Sequence, residues 1–335
     1  MRTLPSRFLL LLVLIGVVAG AVMWQRIREQ NASSSPSVRE AVRTVAVFPL
    51  VPADDESRAV ASGTALLLAH RLSGNGPWRR IPGQCLLPAT GAPVVWDAHT
   101  ARQRALELGA AAFVLGRVRV AQGQVEAEVQ WYDVTDPVPR AAARASGALR
   151  RLAGVVDRLA EELEAGRVAT EQIRIARVAA VTSDSFPALL AYFRAEEHLQ
   201  EGNLPAAEEQ LDSAVAEDPQ FALAYYRLAE VARRLGHSER AAQARQNALL
   251  LSNRLPVQER TLSDLLVLRL RQQTAEAEQG YRELVQQQPS EWEAWCALAE
   301  LAKRRGEVAR SEEALRRVRQ LLPSQSDACG AGTQD

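Results

Sequence analysis

ALAYYRLAEVARRLG, residues 222–236, and WEAWCALAELAKRRG, residues 292–306, are two writings of one helix. They agree at Ala224/Ala294, Leu228/Leu298, Ala229/Ala299, Glu230/Glu300, Ala232/Ala302, Arg234/Arg304 and Gly236/Gly306. Each copy carries an aromatic, a Leu-small pair, a charge pattern and a glycine stop. Glycine takes the left-handed conformation just past a helix end at little cost, so Gly236 and Gly306 mark the same turn.

The pattern extends outward. From Pro187 onward the chain is rich in Ala, Leu, Glu, Gln and Arg and reads as almost all helix. Gly202 closes a helix as Gly236 and Gly306 do. Pro219, Pro289 and Pro323 each follow another helix, since proline cannot continue one. Gly202 to Gly236 spans 34 residues, and so does Pro289 to Pro323. That period, with its Leu-small pairs and terminal prolines, resembles the tetratricopeptide repeat.

Four units follow, at 188–221, 222–255, about 256–291 and 292–325. Ala195, Ala207 and Ala214 are the small positions of the first, Ala229, Ala241 and Ala248 of the second, and Ala299 and Ser311 of the fourth. The third has Ala277, Tyr281 and Pro289, but its first helix lacks both the Leu-small pair and the turn glycine, which leaves its register open. Alanine at the crossing points lets helices approach to about 8–10 Å, and stacked neighbours bury the face one pair leaves open.

The resemblance implies an inner, concave surface lined by the first helix of each pair. By register it holds Tyr192, Glu196, Leu199 and Gln200, then Tyr226, Glu230, Arg233 and Arg234, then Cys296, Glu300, Lys303 and Arg304. The functional expectation is a groove with an aromatic and a basic end, suited to an extended peptide of a protein partner. The plainer expectation is surface ion pairs one helical turn apart. The lysine/asparagine set that holds a terminal carboxylate in some family members is not matched, because glutamates stand where asparagine would.

Ahead of the repeats the patterning changes. TVAVFPLV (44–51) reads as a buried strand, and ESRAVASGTALLLAHRLS (56–73) as a helix with Leu and Ala on one face. A Gly74-Asn75-Gly76 turn leads to WRRIPG, a second strand. Residues 84–99 read as loop, and TARQRALELG (100–109) as a short helix capped by Thr100 and stopped by Gly109. VLGRVRV (114–120) and VEAEVQWYDV (125–134) alternate with period two. Pairing Val120 with Val125 sets Arg119 against Glu126 and Arg117 against Glu128, with Val118, Val120, Val125, Ala127, Val129 and Trp131 on the other face. A long amphipathic helix is expected over 147–166. The order β-α-β-α-β-β-α predicts an α+β or α/β sandwich.

TVAVFPL, SGTALLLAHRLS, ELGAAAFVLGRV and VQWYDV together resemble the TolB-like amino-terminal domain of bacterial envelope proteins, over residues 44–135. Phe48-Pro49 and the stretch from Leu108-Gly109 through Gly116 fit its pattern. The acidic-Gly-Leu helix start of that family is present only as Ala61-Ser62-Gly63. These motifs are structural and bring no catalytic residue. Such a domain beside tetratricopeptide repeats looks like the exported half of bacterial membrane kinases and sensors.

At the amino terminus, Arg2 and Arg7 precede the uncharged run Phe8–Trp24, and Arg26 and Arg28 follow it. The expectation is a signal anchor over 1–28, with a cleaved signal as the alternative, and an exported body. That places the chain in a bacterial inner membrane as a single-pass protein with most of its length periplasmic. The expected organisation continues with a linker at 29–43, the α/β domain at 44–168, a connector at 169–186, the solenoid at 187–325 and a disordered tail at 326–335. The whole is α+β, with a membrane helix, an α/β sandwich and an all-α solenoid.

Basic and acidic residues balance at 40 each, which argues against nucleic acid. Lys303 is the only lysine and lies in a repeat, so a phosphate-loop or Schiff-base lysine is not expected. Cys85, Cys296 and Cys329 form no CxxC and read as incidental thiols; an exported chain can oxidise one pair, and spacing does not choose it. His70 and His237 read as surface or capping residues, and His99 beside Asp97 is a common chance pairing. No metal-ligand spacing, GxSxG or phosphate loop is present, so neither cofactor nor metal nor catalysis is expected. Three functions remain: a peptide-binding envelope scaffold, a sensor body with its ligand in the TolB-like domain, and a hydrolase with an unrecognised site, which would need a polar cluster in a pocket such as His99 with Asp97 and a nearby Ser or Cys.

Overall fold

The computed structural model describes residues 42–73, 77–87, 95–166, 177–323, 325, 328 and 329. The expected anchor, most of the linker, the Gly74–Gly76 turn, part of the 84–99 loop, part of the connector and most of the tail lie outside these residues. Among the described residues no helix is long and apolar enough to cross a membrane.

VAVF (45–48) is apolar at consecutive positions because both faces of its strand are covered. In β1 (Arg43–Val47), Val45 and Val47 join one hydrophobic cluster, while Ala46 and the following Phe48 join another on the opposite face. The chain continues through β2 (Val51–Pro52), α1 (Arg58–Leu72), β3 (Trp78–Arg80), a 3-10 turn at Gly83–Leu86 and α2 (Ala98–Glu107). A meander follows: β4 (Ala112–Ala121), β5 (Gln124–Asp133) and β6 (Ala141–Ala148), then α3 (Leu152–Gly166). The strand order is β3-β1-β4-β5-β6, with β2 also on β4. β1 runs parallel to β3 and β4, and β4, β5 and β6 are antiparallel. α1 and α3 cover one face of the sheet, and α2 covers part of the other.

The expected hairpin register is observed: Val120 pairs with Val125, Arg119 with Glu126 and Arg117 with Glu128. Gln122 and Gly123 take positive φ (51° and 70°), as a two-residue hairpin turn of right-handed strands requires. Four expectations are corrected. The helix expected over 147–166 begins at Leu152, because AAARASGA forms strand β6 first. Its buried alanines, Ala141, Ala143 and Ala145, let α3 settle close to the sheet. The cap of α2 is Asp97, whose carboxylate accepts the N–H groups of His99 and Thr100 at 2.8 Å, so the helix starts before Thr100. α1 is buried around most of its circumference, not on one face, because a second helix packs on its back. His70 accordingly lies inside, 3% exposed.

That second helix is the first of the repeats. After a short α4 (Val178–Val181) come four antiparallel pairs: α5 (Phe186–Gln200) with α6 (Leu204–Glu217), α7 (Ala222–Arg234) with α8 (Ser238–Leu250), α9 (Val257–Leu270) with α10 (Thr274–Gln287), and α11 (Trp292–Arg304) with α12 (Val308–Leu321). Gly202, Gly236 and Gly306 have positive φ, as their role as helix stops requires. In the third pair Gln272 takes the same conformation, φ 62°, and fixes the register that sequence left open. All four turns close alike: Gly202, Gly236, Gln272 and Gly306 donate their N–H three residues back, and the next residue donates five back.

α5 packs on α1 so closely that a Cβ on Gly63 would lie 2.2 Å from the Phe193 ring. Residues of the sheet, α1, α3 and the first repeats share one hydrophobic cluster. Trp292, Val318, Leu321 and Leu322 of the last repeat share another with α2 and the opposite face of the sheet. The solenoid therefore curls around the α/β layer and touches it from both sides.

Candidate functional site

The inner helices α5, α7 and α11 place the residues chosen by repeat register in three different settings. Tyr192 and Leu199 are in the core, 1% and 3% exposed, with Tyr192 stacked at a tilt on Phe221. They do not line an open groove, because α1 lies against that part of α5. Glu196, Glu230 and Tyr226 converge on a buried ion cluster. Gln200, Arg233, Lys303 and Arg304 are exposed, with Arg234 and Glu300 half-buried beside them. Glu300 accepts from Arg304 at 2.6 Å, the one-turn ion pair expected of a solvated helix face, and from Arg269 of α9 at 2.9 Å.

Arg227 is the centre of the ion cluster. Its guanidinium donates to Glu196 of α5 at 3.0 Å, to Glu230 one turn on at 2.9 Å, and to Glu293 of α11 at 3.1 Å. Tyr226 donates its hydroxyl to the other oxygen of Glu293. The α/β layer supplies the rest of the seam. Arg80 at the end of β3 pairs with Glu259 of α9, and the Trp292 indole donates to Gln84 at 3.2 Å. The Cys85 thiol donates to the Ser290 carbonyl at 3.6 Å, and Arg104 of α2 reaches the Leu321 carbonyl at 3.5 Å. The edge of the sheet that ends in β3 therefore sits inside the curve of the solenoid.

Five carboxylates, Glu196, Glu230, Glu259, Glu291 and Glu293, meet two guanidiniums, Arg80 and Arg227, in this seam. Burial pushes Glu293 up to about 8, and repulsion by Glu230 adds to it. Burial also raises Glu291. For Glu259 burial acts in the same direction, but Arg80 beside it more than offsets this and holds it below the usual carboxylate range. His70 is pushed down to about 3 by burial and by Arg80, so it stays neutral. Burial raises the Cys85 thiol, which makes it unreactive. The cleft beside the cluster, bordered by Gly63, Arg80, Glu197, Gln200 and Arg227, holds about 70 Å³. That fits a few water molecules and falls well below the ~300 Å³ of small-ligand pockets. No group of side chains fit for a metal occurs among the described residues. Asp97, the suggested partner of His99, is committed to capping α2.

The cysteines correct a further expectation. Cys296 and Cys329 form a disulfide, leaving Cys85 free. Arg233 of α7 donates to the Cys329 carbonyl at 3.2 Å. Two of the residues assigned to the concave face thus hold a segment of the chain itself.

Sequence reasoning did not select Arg227, Glu293, Arg80 or Glu259. Their partners lie 31, 66 and 179 residues away, beyond any local pattern. The available signal was weak: Arg227 and Glu293 are charges set among small and aromatic residues that face inward.

The chain is thus a helical-repeat protein wrapped on an α/β layer. Its repeats match the family model of the tetratricopeptide repeat over residues 192–250 and 267–326. No curated protein matches the chain. Repeats of this family are protein-interaction modules, and the match does not extend to the α/β layer.

Proposed function

We propose that this protein is an exported, membrane-tethered adaptor that binds an acidic segment of a partner protein at the mouth of its solenoid. The observation that carries this reading is the bond from Arg233 to the Cys329 carbonyl, since the concave face already holds polypeptide there. The exposed charged residues of the expected groove are Arg233, Lys303 and Arg304, whereas Glu196 and Glu230 are consumed by Arg227. These exposed side chains are cationic, and acidic side chains of a partner would complement them. The TolB-like resemblance fits a supporting layer that fixes the curvature of the repeats.

Export and tethering rest on the Phe8–Trp24 run and its flanking arginines, and on a disulfide, which persists in oxidising compartments. A bacterial inner-membrane location with a periplasmic body follows. Crosslinking in native envelopes, read by mass spectrometry, tests it. Wild-type chain should capture a protein that Arg233→Glu/Lys303→Glu loses while its thermal transition is unchanged. Equal capture by both chains would reject the site.

A further inference from the structure

We infer that Arg245, on the second helix of the second repeat, reads the acidic partner by taking a carboxylate of the bound segment beside a ladder of cations on the inner helices. This rests on the adaptor reading above and adds a specificity-determining residue to its site.

The four repeat turns supply a common register. Three residues before Gly236, Gln272 and Gly306 stand Arg233, Arg269 and Lys303. Successive inner helices α7, α9 and α11 thus carry a cation at one position, and packed neighbours lie about 8–10 Å apart. In the first repeat the position is the buried Leu199, so the ladder begins at the second. Arg269 and Arg304 share one carboxylate, Glu300, at 2.9 and 2.6 Å. Arg233 donates only to a neutral carbonyl among the described residues, so its charge is not offset.

Nine residues after the turn, the second helices carry Leu211, Arg245, Tyr281 and Leu315. Leu211 and Tyr281 are core residues, 0% and 3% exposed, and Leu315 is half-buried. Arg245 therefore occupies a packing slot of the repeat and is itself half-buried. Its methylene stem can fill the slot while the guanidinium leaves it. Among the described residues that guanidinium has no hydrogen-bond or ion-pair partner. Burial, then repulsion by Arg233 and Arg269, pushes it below the usual arginine range, so its charge lies close to both α7 and α9. A half-buried cation between two others is a cost that leucine would remove. A carboxylate from a partner offsets all three at once, and a partly desolvated guanidinium holds it in a two-pronged bond.

The test uses the full chain and fluorescein-labelled hexaglutamate, read by anisotropy at low ionic strength. Wild type should bind this probe, and Arg245→Leu should bind it at least tenfold more weakly. The urea midpoint of Arg245→Leu should nevertheless rise, since leucine is what two other repeats carry there. Arg245→Lys should fall between the two in binding. Arg245→Leu that binds as tightly as wild type, while Arg233→Glu/Lys303→Glu loses the probe, would overturn the inference and leave the adaptor site standing. Weaker binding together with a lower urea midpoint would also overturn it, by assigning Arg245 to packing alone. No binding by wild type would reject the acidic partner, and the inference with it.

Discussion

Arg227 on α7 and Glu293 on α11 are 66 residues apart in the chain and 3.1 Å apart in the fold. The inner helices of the second and fourth repeats are thus tied across the curve of the solenoid. Burial, and then repulsion by Glu230, which shares that guanidinium, raise the Glu293 carboxyl to about 8.

The pH dependence follows with a definite sign. Glu293 is raised from 4.5 to about 8, so its contribution to stability is full below pH 4.5 and is lost as pH rises through 8. Its loss is of the order of a few kcal/mol. Glu291, also raised, acts in the same direction. His70, lowered from 6.5 to about 3, contributes above pH 6.5 and loses that as pH falls toward 3. Glu293→Gln should be more stable than wild type above pH 8, with a shallower decline in urea midpoint between pH 5 and 9. Parallel curves for the two proteins would show that Glu293 carries no proton in the fold.

Gly63 and Phe193 set the distance between α1 and α5. Alanine at an ordinary helical position would help by about 1 kcal/mol, but at Gly63 its Cβ meets a fully buried ring at 2.2 Å. Gly63→Ala should therefore cost about 1–3 kcal/mol by overpacking. In a Phe193→Ala background the same change should become neutral or stabilising. A double-mutant cycle in urea measures the reversal, and additive effects would place the contact elsewhere.

The third repeat turn is strained at Gln272, which holds φ 62° where its counterparts are glycines. Gln272→Gly should stabilise by about 0.5–1 kcal/mol, net of glycine's greater freedom in the unfolded chain. Gly236→Ala should cost about 1 kcal/mol. Urea midpoints of both variants check the pair, and a loss on Gln272→Gly would mean that the side chain contributes more than its backbone strain removes.

Gly202, Gly236 and Gly306 were readable as helix stops because only their backbone chemistry mattered. The β4–β5 register was readable because Arg117/Glu128 and Val120/Val125 assign opposite faces. The turn at Gln272 was not, since no residue type announces it. Strand β6 was hidden by its alanines, which read as helix but serve to bring α3 close. The site was legible only in part. Repeat register located the inner helices, but no periodicity says that α1 covers Tyr192 or that Arg80 reaches Glu259 across 179 residues. Those facts depend on how two differently patterned halves pack.

β6 is an edge strand, and α3 guards it. Glu162 accepts the outward N–H of Arg144 at 2.8 Å, and Arg158 donates to the Ser146 carbonyl at 2.6 Å. A bare edge of small residues would offer these groups to a strand of another chain. Glu162→Ala/Arg158→Ala should leave the folded monomer within about 1 kcal/mol of wild type, because both bonds are replaced by water. It should also increase self-association. Light scattering on a size-exclusion column, run over a concentration series, should show mass rising with concentration for the variant more steeply than for wild type. Identical profiles would mean that the twist of the edge, and not these two side chains, keeps other strands away.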